Sequence, residues 1–169
     1  MEKCRVTKYK KIRELSSKDL NDINLSHPFS NLEGAESFWN YSVPLVEADH
    51  VTDDAGTGFV HIAPSHGAED FEVFLKRGWL SRMTNNVEDD SSFANTVPFF
   101  KGLQIFNKKG REGEGNKAVI QKLIEANKLI ARGILEHSYP HSWRSRAPVI
   151  FRNTPQWFVN IDKDLKDGK

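Results

Sequence analysis

The stretch GTGFVHIAPSHGAEDF, residues 56–71, brings a tight turn, an apolar run, a proline, two histidines and two acids together in sequence. Residues 59–62 show the pattern of a short strand, which Pro64 ends. Apolar residues then recur at helical spacing from residue 67 onward, and Gly78 is a helix-stopping residue. The stretch therefore predicts a strand that turns directly into a helix.

His61 and Asp70 are the candidate site residues of this stretch. His61 lies at the end of the predicted strand and Asp70 in the first turn of the predicted helix, so a short loop allows both side chains to face one pocket. Each also has an ordinary structural explanation. An acid in a first turn complements the helix dipole, and a half-buried histidine is often simply hydrogen-bonded within the fold. The residues alone leave both explanations open.

The remaining chain mixes helical and extended patterns without a regular βαβ rhythm. Strands are predicted within residues 1–14 and over 43–51 and 101–106. Helix and turn signals lie within 16–36, and a second long helix is predicted over 116–132, with Gly133 as its end. Residues 134–162 are predicted to be short extended pieces. This combination predicts a mixed α/β (α+β) domain.

Composition narrows the class of protein. The 169 residues fit one domain and suffice for a core. With 24 Lys and Arg against 23 Asp and Glu, the chain is not built wholly to coat nucleic acid, although a local basic face is compatible with this balance. Cys4 is the single cysteine, which favours a reducing compartment and hence the cytoplasm. No apolar run is long enough to span a membrane, so no membrane partner is expected.

The sequence gives little support for a serine nucleophile, a phosphate-binding loop or a zinc site. The chain has no Gly-x-Ser-x-Gly elbow, and its glycine-rich loop at 108–115 lacks the Gly-Lys-Ser/Thr of a phosphate-binding loop. His137 and His141 have a spacing seen in zinc sites, but Pro140 breaks the helix that would align them. We therefore expect no metal.

Two long motifs resemble the isoleucyl-tRNA synthetase family. Residues 56–71 resemble the signature of its editing domain, and ADHVT at 48–52 precedes them at the family's spacing. HSYPHSWRSRAP at 137–148, followed by FRNTPQWF at 151–158, resembles the segment in which the chain leaves the editing insertion for the catalytic core. The resemblance covers the chain from about residue 26 onward.

The resemblance implies an editing (CP1) domain of the type shared by valine, isoleucine and leucine synthetases, with a small β-barrel-like sheet and flanking helices. Residues 1–136 would form its body without the threonine-rich strand that normally precedes these motifs. Residues 137–169, here called the return ribbon, would lead toward the catalytic core. Because the two ATP-site signatures of the family do not occur here, ATP and Mg would belong to that core, and no cofactor is expected in these residues.

The implied activity is hydrolysis of valine wrongly attached to tRNA(Ile), by a positioned water without metal or covalent intermediate. Asp70 would pair with the α-ammonium group of the substrate, and His61 would line the side-chain pocket; these two are the expected catalytic residues. The other expected substrate-binding residues are Ser65, His66, Gly67, Gly56, Thr57 and Gly58. Arg144 and Arg146 would contact tRNA phosphates.

The expected partners are the 3′ end of tRNA(Ile) carrying valine and the rest of the synthetase chain. Two alternatives remain open. One is a catalytically inactive module that binds tRNA or packs against the synthetase, since a pocket wall would be missing. The other is the editing domain of a valine- or leucine-specific relative.

Overall fold

A computed structural model describes residues 6–52, 58–134 and 136–162. Its elements, in chain order, are α1 (Ser17–Leu20), β1 (Asn24–Ser26), β2 (Ser42–Pro44), α2 (Ala68–Lys76), one turn of 3-10 helix (Leu80–Arg82) and α3 (Gly115–Glu125). The mixed class predicted from the sequence is confirmed. None of the helices in these ranges combines the length and the apolar character that a membrane crossing requires.

The sheet of the described residues has two antiparallel strands, with Leu25 of β1 opposite Val43 of β2. The chain between the strands folds into successive turns, in which the amides of Ser30 and Ala35 donate to carbonyls three residues back at 2.9 and 3.1 Å. β2 ends at Pro44, so the strand predicted over 43–51 was wrong in length. Proline has no N–H to continue a ladder, which is the physical reason for this end.

The core lies between the β1–β2 connection and the segment before residue 101. Its buried residues are Phe29, Ala35, Trp39, Ala94, Val97 and Phe100. The Phe29 ring contacts Trp39 edge-on and Phe100 at a tilt, in both cases with 5.7 Å between ring centroids. α3 covers this cluster with apolar side chains that include Ala118 and Leu123. The core is thus aromatic and is assembled mainly from turns.

Each of the two long helices is closed by a residue in the left-handed conformation, glycine after α2 and asparagine after α3. α2 ends as predicted: Gly78 has φ +68°, and its amide donates to the Leu75 carbonyl at 3.1 Å. α3 ends at Glu125, so the prediction that it runs to about residue 132 was wrong. Asn127 takes φ +59° and closes the helix, because asparagine tolerates the left-handed conformation that this type of helix end requires.

Two further strand predictions were wrong, and the one within 1–14 is not met by its described part, since residues 1–5 lie outside the described ranges. Residues 59–62 and the described residues 6–15 belong to no strand, and the region 101–106 holds only isolated bridges, Ser92 with Gln104 and Phe106 with Glu112. An alternating pattern shows that a segment suits an extended conformation, but a strand also needs a neighbour for its backbone hydrogen bonds. That neighbour is not a property of the segment itself. The β-barrel-like sheet stays a prediction.

Candidate functional site

Asp70 is held by contacts from two segments that precede its helix. It occupies the third position of α2, whose N-cap is Gly67. Its Oδ2 accepts a hydrogen bond from the Ala63 amide at 2.8 Å, and its Oδ1 lies 3.3 Å from Nε2 of His50. The two side chains retain 18% and 29% of their exposure, respectively. The carboxylate is therefore partly shielded and oriented, yet still reachable from solvent.

Gly67 leaves the space that this carboxylate needs. A Cβ built at position 67 would lie 3.0 Å from Oδ2 of Asp70, which is tighter than ordinary contacts. The backbone at this N-cap is extended, with φ −134°, so any residue could adopt its conformation. The reason for glycine here is the close approach of the carboxylate.

The loop of residues 63–67 is a tight turn tied to distant parts of the chain. The amides of His66 and Gly67 both donate to the Ala63 carbonyl, at 2.9 and 3.1 Å. Ser65 is buried, and its hydroxyl donates to the Thr84 carbonyl at 2.6 Å. The Asn153 amide donates to the Ser65 carbonyl at 2.7 Å, so the return ribbon packs directly against this loop.

His66 takes a defined orientation from the return ribbon. Its Nδ1 lies 2.7 Å from the Phe151 carbonyl oxygen. Because a carbonyl oxygen can only accept a hydrogen bond, Nδ1 carries the proton of this contact. In the neutral ring Nε2 is then left with its lone pair, the form that accepts a proton or a hydrogen bond from water.

His61 lies in a different environment from Asp70. Its side chain is exposed, and within the described ranges no hydrogen bond or ion pair joins it to Asp70. It is close enough to His27 to affect that ring: burial lowers the pKa of His27, and the charge of His61 lowers it further. The arrangement of His61 and Asp70 around one pocket stays a prediction.

Aromatic side chains pack around His27, the ring that the charge of His61 affects. The His27 ring stacks on Trp39 with 4.4 Å between centroids and 12° between planes, and Tyr41 lies 5.5 Å from the same ring. Burial raises the pKa of the Tyr41 hydroxyl. Nδ1 of His27 accepts from the Phe29 amide at 3.1 Å, so the proton of the neutral ring resides on Nε2.

The other predicted residues lie at turns or outside the described ranges. Gly58 has φ +73°, a conformation that favours glycine, whereas Gly56 and Thr57 fall outside the described residues. Arg144 stacks over the largely exposed Trp143 ring, 4.9 Å from its centroid. Arg146 has φ +55° in the same turn. Both arginines are exposed, and their contact with tRNA stays a prediction.

Two contacts of this arrangement were not predicted from the sequence. His50 faces Asp70, and Arg152 pairs with Asp89 while its Nη1 donates to the Val87 carbonyl at 3.3 Å. His50 belongs to the ADHVT stretch that supports the family resemblance, which was the available signal. Nothing in the spacing of either residue indicates its partner, because both contacts join segments far apart in the chain.

The described surface also holds an open depression of about 460 Å³ that does not coincide with these residues. It is lined by residues 34–38, 95–99 and 101, and its only ionisable side chains are Glu36 and Lys101. We place the candidate site at Asp70 instead, because the oriented carboxylate and the neighbouring histidines supply chemistry that the depression lacks. No group of three or more potential ligands within the described ranges is arranged to hold a metal ion.

Comparison with known proteins assigns the chain to a family. No family model matches it. It is 48% identical over 96% of its residues to the isoleucine–tRNA ligase of Bradyrhizobium diazoefficiens, 51% identical over 86% to that of Ruegeria pomeroyi, and 46% identical over 98% to that of Mesorhizobium japonicum. The aligned regions span 17%, 15% and 18% of those relatives.

These relatives are aminoacyl-tRNA synthetases, a class of enzymes. Within that class, the chain belongs to the isoleucine–tRNA ligase family, as its motifs predicted, and matches less than one fifth of the length of each relative named here.

Proposed function

We propose that the chain is the editing part of an isoleucine–tRNA ligase and hydrolyses valine wrongly esterified to tRNA(Ile). The observation that carries this proposal is the oriented, partly exposed carboxylate of Asp70, in a chain related to these ligases over nearly its whole length. One methylene is worth about 1–3 kcal/mol in an apolar pocket, a limit commonly illustrated by this enzyme's own choice between isoleucine and valine. A second, hydrolytic site removes the errors that this limit allows.

Asp70 binds the α-ammonium group of the esterified valine. An ionised carboxylate makes charge-assisted hydrogen bonds to such a group, and the Ala63 amide keeps Oδ2 in place at 2.8 Å. Anchoring the amine fixes the ester carbonyl beside the loop of residues 63–67. Rate then comes from proximity and orientation, because the attacking water and the carbonyl are held together.

His61 lines the pocket for the side chain of the substrate. It follows Phe59 and Val60, which retain 61% and 57% of their exposure. This surface offers apolar contact to a branched side chain, and the imidazole limits its size. His66 contributes a free Nε2, since its Nδ1 is engaged by Phe151, and that nitrogen can orient water.

The proposal includes the domain arrangement. Residues 1–136 form the editing body, of the barrel-like type found in this class, and the return ribbon leads to the catalytic core. Two contacts support the close association of ribbon and body, from the Asn153 amide to Ser65 and from His66 to Phe151. The proposed partners are the 3′ end of tRNA(Ile), contacted in part by Arg144 and Arg146, and the rest of the ligase in the cytoplasm.

The test is deacylation of valyl-tRNA(Ile) by the chain alone, and by the Bradyrhizobium ligase in which the chain replaces its matching residues. Asp70→Asn is expected to lower the rate about 100-fold, since a hydrogen bond to a charged group contributes up to about 3 kcal/mol. Valyl-tRNA(Val) and leucyl-tRNA(Leu) serve as alternative substrates for the related specificities.

Asp49→Asn is the matched control. Asp49 is a fully exposed carboxylate that lies 3.9 Å from Lys76 and makes no contact with Asp70, so its rate should stay near that of the wild type. Wild-type hydrolysis by Asp70→Asn would exclude the proposed role of this carboxylate.

A second candidate function is a packing module without hydrolytic activity. It is favoured by the apolar end of the return ribbon, where Trp157, Phe158, Val159 and Ile161 retain 81–100% of their exposure. A run of this kind becomes favourable when another protein surface covers it. Hydrolysis absent from both the chain and the chimeric ligase, with aminoacylation by the chimera intact, would support this alternative.

A further inference from the structure

We propose that His50 is a positioning residue of the editing site, which orients Oδ1 of Asp70 and yields that oxygen to the α-ammonium group when the substrate binds. The inference rests on the proposed function and deepens it. It starts from the 3.3 Å contact between His50 Nε2 and Asp70 Oδ1, the contact that the sequence patterns did not indicate.

The two oxygens of Asp70 are held from two directions. Oδ2 takes the Ala63 amide, and Oδ1 faces the His50 ring. A carboxylate with only one of these contacts could rotate about its Cβ–Cγ bond. With both, the plane of the carboxylate is defined before the substrate arrives, which reduces the ordering that binding must achieve.

The segment that carries His50 lies alongside α2. Asp49 lies 3.9 Å from Lys76 at the end of the helix, while His50 contacts Asp70 near its start. These two helical positions are separated by about 9 Å along the axis, at 1.5 Å per residue. Residues 49 and 50 therefore run beside the helix, and the contact with Asp70 is the one that positions His50, because the ion pair of the fully exposed Asp49 contributes little.

Charge explains why Oδ1 of Asp70 would leave His50 for the ammonium group of the substrate. Asp70 keeps 18% and His50 29% of its side-chain exposure, so the pair is shielded but open to solvent on one side. An ammonium group carries a full positive charge and three donors, whereas the Nε2 of an imidazole ring offers Oδ1 a single donor. The substrate amine is thus the stronger partner for Oδ1, and the His50 ring is left beside it as a wall of the amine subsite.

The first experiment measures the contact itself, without reference to activity. Histidine side-chain nitrogen resonances of the 169-residue chain are recorded for the wild type, Asp70→Asn and Asp49→Asn. We expect the Nε2 resonance of His50 to shift in Asp70→Asn and to stay near its wild-type position in Asp49→Asn. An unchanged resonance in Asp70→Asn would overturn the inference.

The second experiment measures valyl-tRNA(Ile) deacylation by His50→Ala and His50→Gln. We expect His50→Ala to raise KM about tenfold with little change in kcat, since the carboxylate is then no longer ordered before the substrate binds. His50→Gln keeps an N–H donor and should restore KM to near the wild-type value, while the melting temperatures of both variants identify any loss of folding. His50→Ala should have no further effect in the Asp70→Asn background, because the two residues act through one contact.

The outcomes separate the inference from the proposed function. Wild-type KM in a folded His50→Ala, or failure of a folded His50→Gln to restore it, overturns the positioning role even when Asp70→Asn abolishes hydrolysis. If the wild type shows no hydrolysis in either setting, the proposed function and the positioning role both fail, although the resonance shift in Asp70→Asn would still establish the contact.

Discussion

The His27 imidazole lies flat against the Trp39 indole and accepts the Phe29 amide through Nδ1. Burial lowers its pKa from the ordinary value of 6.5, and the charge of His61 lowers it further. The folded chain therefore binds fewer protons at this residue than the unfolded chain does just below pH 6.5. It follows that His27 reduces stability progressively as the pH falls from about its ordinary pKa toward its lowered one.

We expect His27→Gln to flatten the loss of stability between about pH 7 and pH 5, since glutamine does not titrate there. The measurement is the free energy of urea unfolding of both chains at several pH values. The absolute stability of the variant falls with the loss of the stack, so the slope against pH is the quantity compared.

His137→Gln is the matched control for this slope. His137 is an exposed histidine of the return ribbon; its Nδ1 lies 3.0 Å from the adjacent Ser138 carbonyl, and its ring lies edge-on to Tyr139 with 5.9 Å between centroids. If the free energy of unfolding of His27→Gln fell with pH as steeply as that of the wild type, His27 would not be the cause of the pH dependence.

The segment before α3 is joined to residues 104 and 105 by single backbone hydrogen bonds and not by a regular strand ladder. The Gly113 amide donates to the Ile105 carbonyl at 2.8 Å, and the Gly115 amide donates to the Gln104 carbonyl at 2.9 Å. A Cβ at position 113 would lie 2.1 Å from that same carbonyl oxygen of Gln104. Glycine permits the close approach of two backbones that starts α3 against the core.

We expect Gly113→Ala to destabilise the chain by about 3 kcal/mol, because backbone atoms on both sides must move to admit a methyl group. The measurement is the midpoint of urea unfolding, followed by circular dichroism. Gly133→Ala is the control, since a Cβ there meets nothing within 4 Å. Equal midpoints for Gly113→Ala and Gly133→Ala would refute the close-packing explanation.

Contacts of the return ribbon hold the loop of residues 63–67, although the two segments are far apart in the sequence. Arg152 joins the ribbon to Asp89 and to the Val87 carbonyl, while the adjacent Asn153 donates to Ser65. The Asp89 partner is exposed, so the ion pair itself contributes little. The contact with the partly buried carbonyl is the more important one, because its loss leaves an acceptor without its partner.

We expect Arg152→Ala to lower stability by about 1–2 kcal/mol and to speed hydrogen exchange of the His66 and Gly67 amides, which close the loop. Arg144→Ala removes another arginine of the same ribbon, one that stacks on Trp143, and should leave this exchange unchanged. Unaltered exchange in Arg152→Ala would show that the loop is held independently of the ribbon.

Local signals accounted for part of the fold and of the candidate site. Gly78 ended α2 as predicted, since a residue in the left-handed conformation closes a helix whatever lies around it. Asp70 fell in the first turn of that helix for a similarly local reason. α3 ended early because Asn127 can adopt the same conformation, a possibility that helical periodicity does not reveal.

The sequence by itself thus determined the family, the mixed class, the limits of α2 and the position of Asp70, because each depends on residues close together in the chain. Only the tertiary structure decided that His50 faces Asp70, that the return ribbon holds Ser65 and His66, and that the described residues 59–62 and 101–106 form no regular strand. These features join residues up to 88 positions apart, as in the contact of Ser65 with Asn153 (153 − 65 = 88). Such contacts follow from the packing of the whole chain, and no spacing within a segment specifies them.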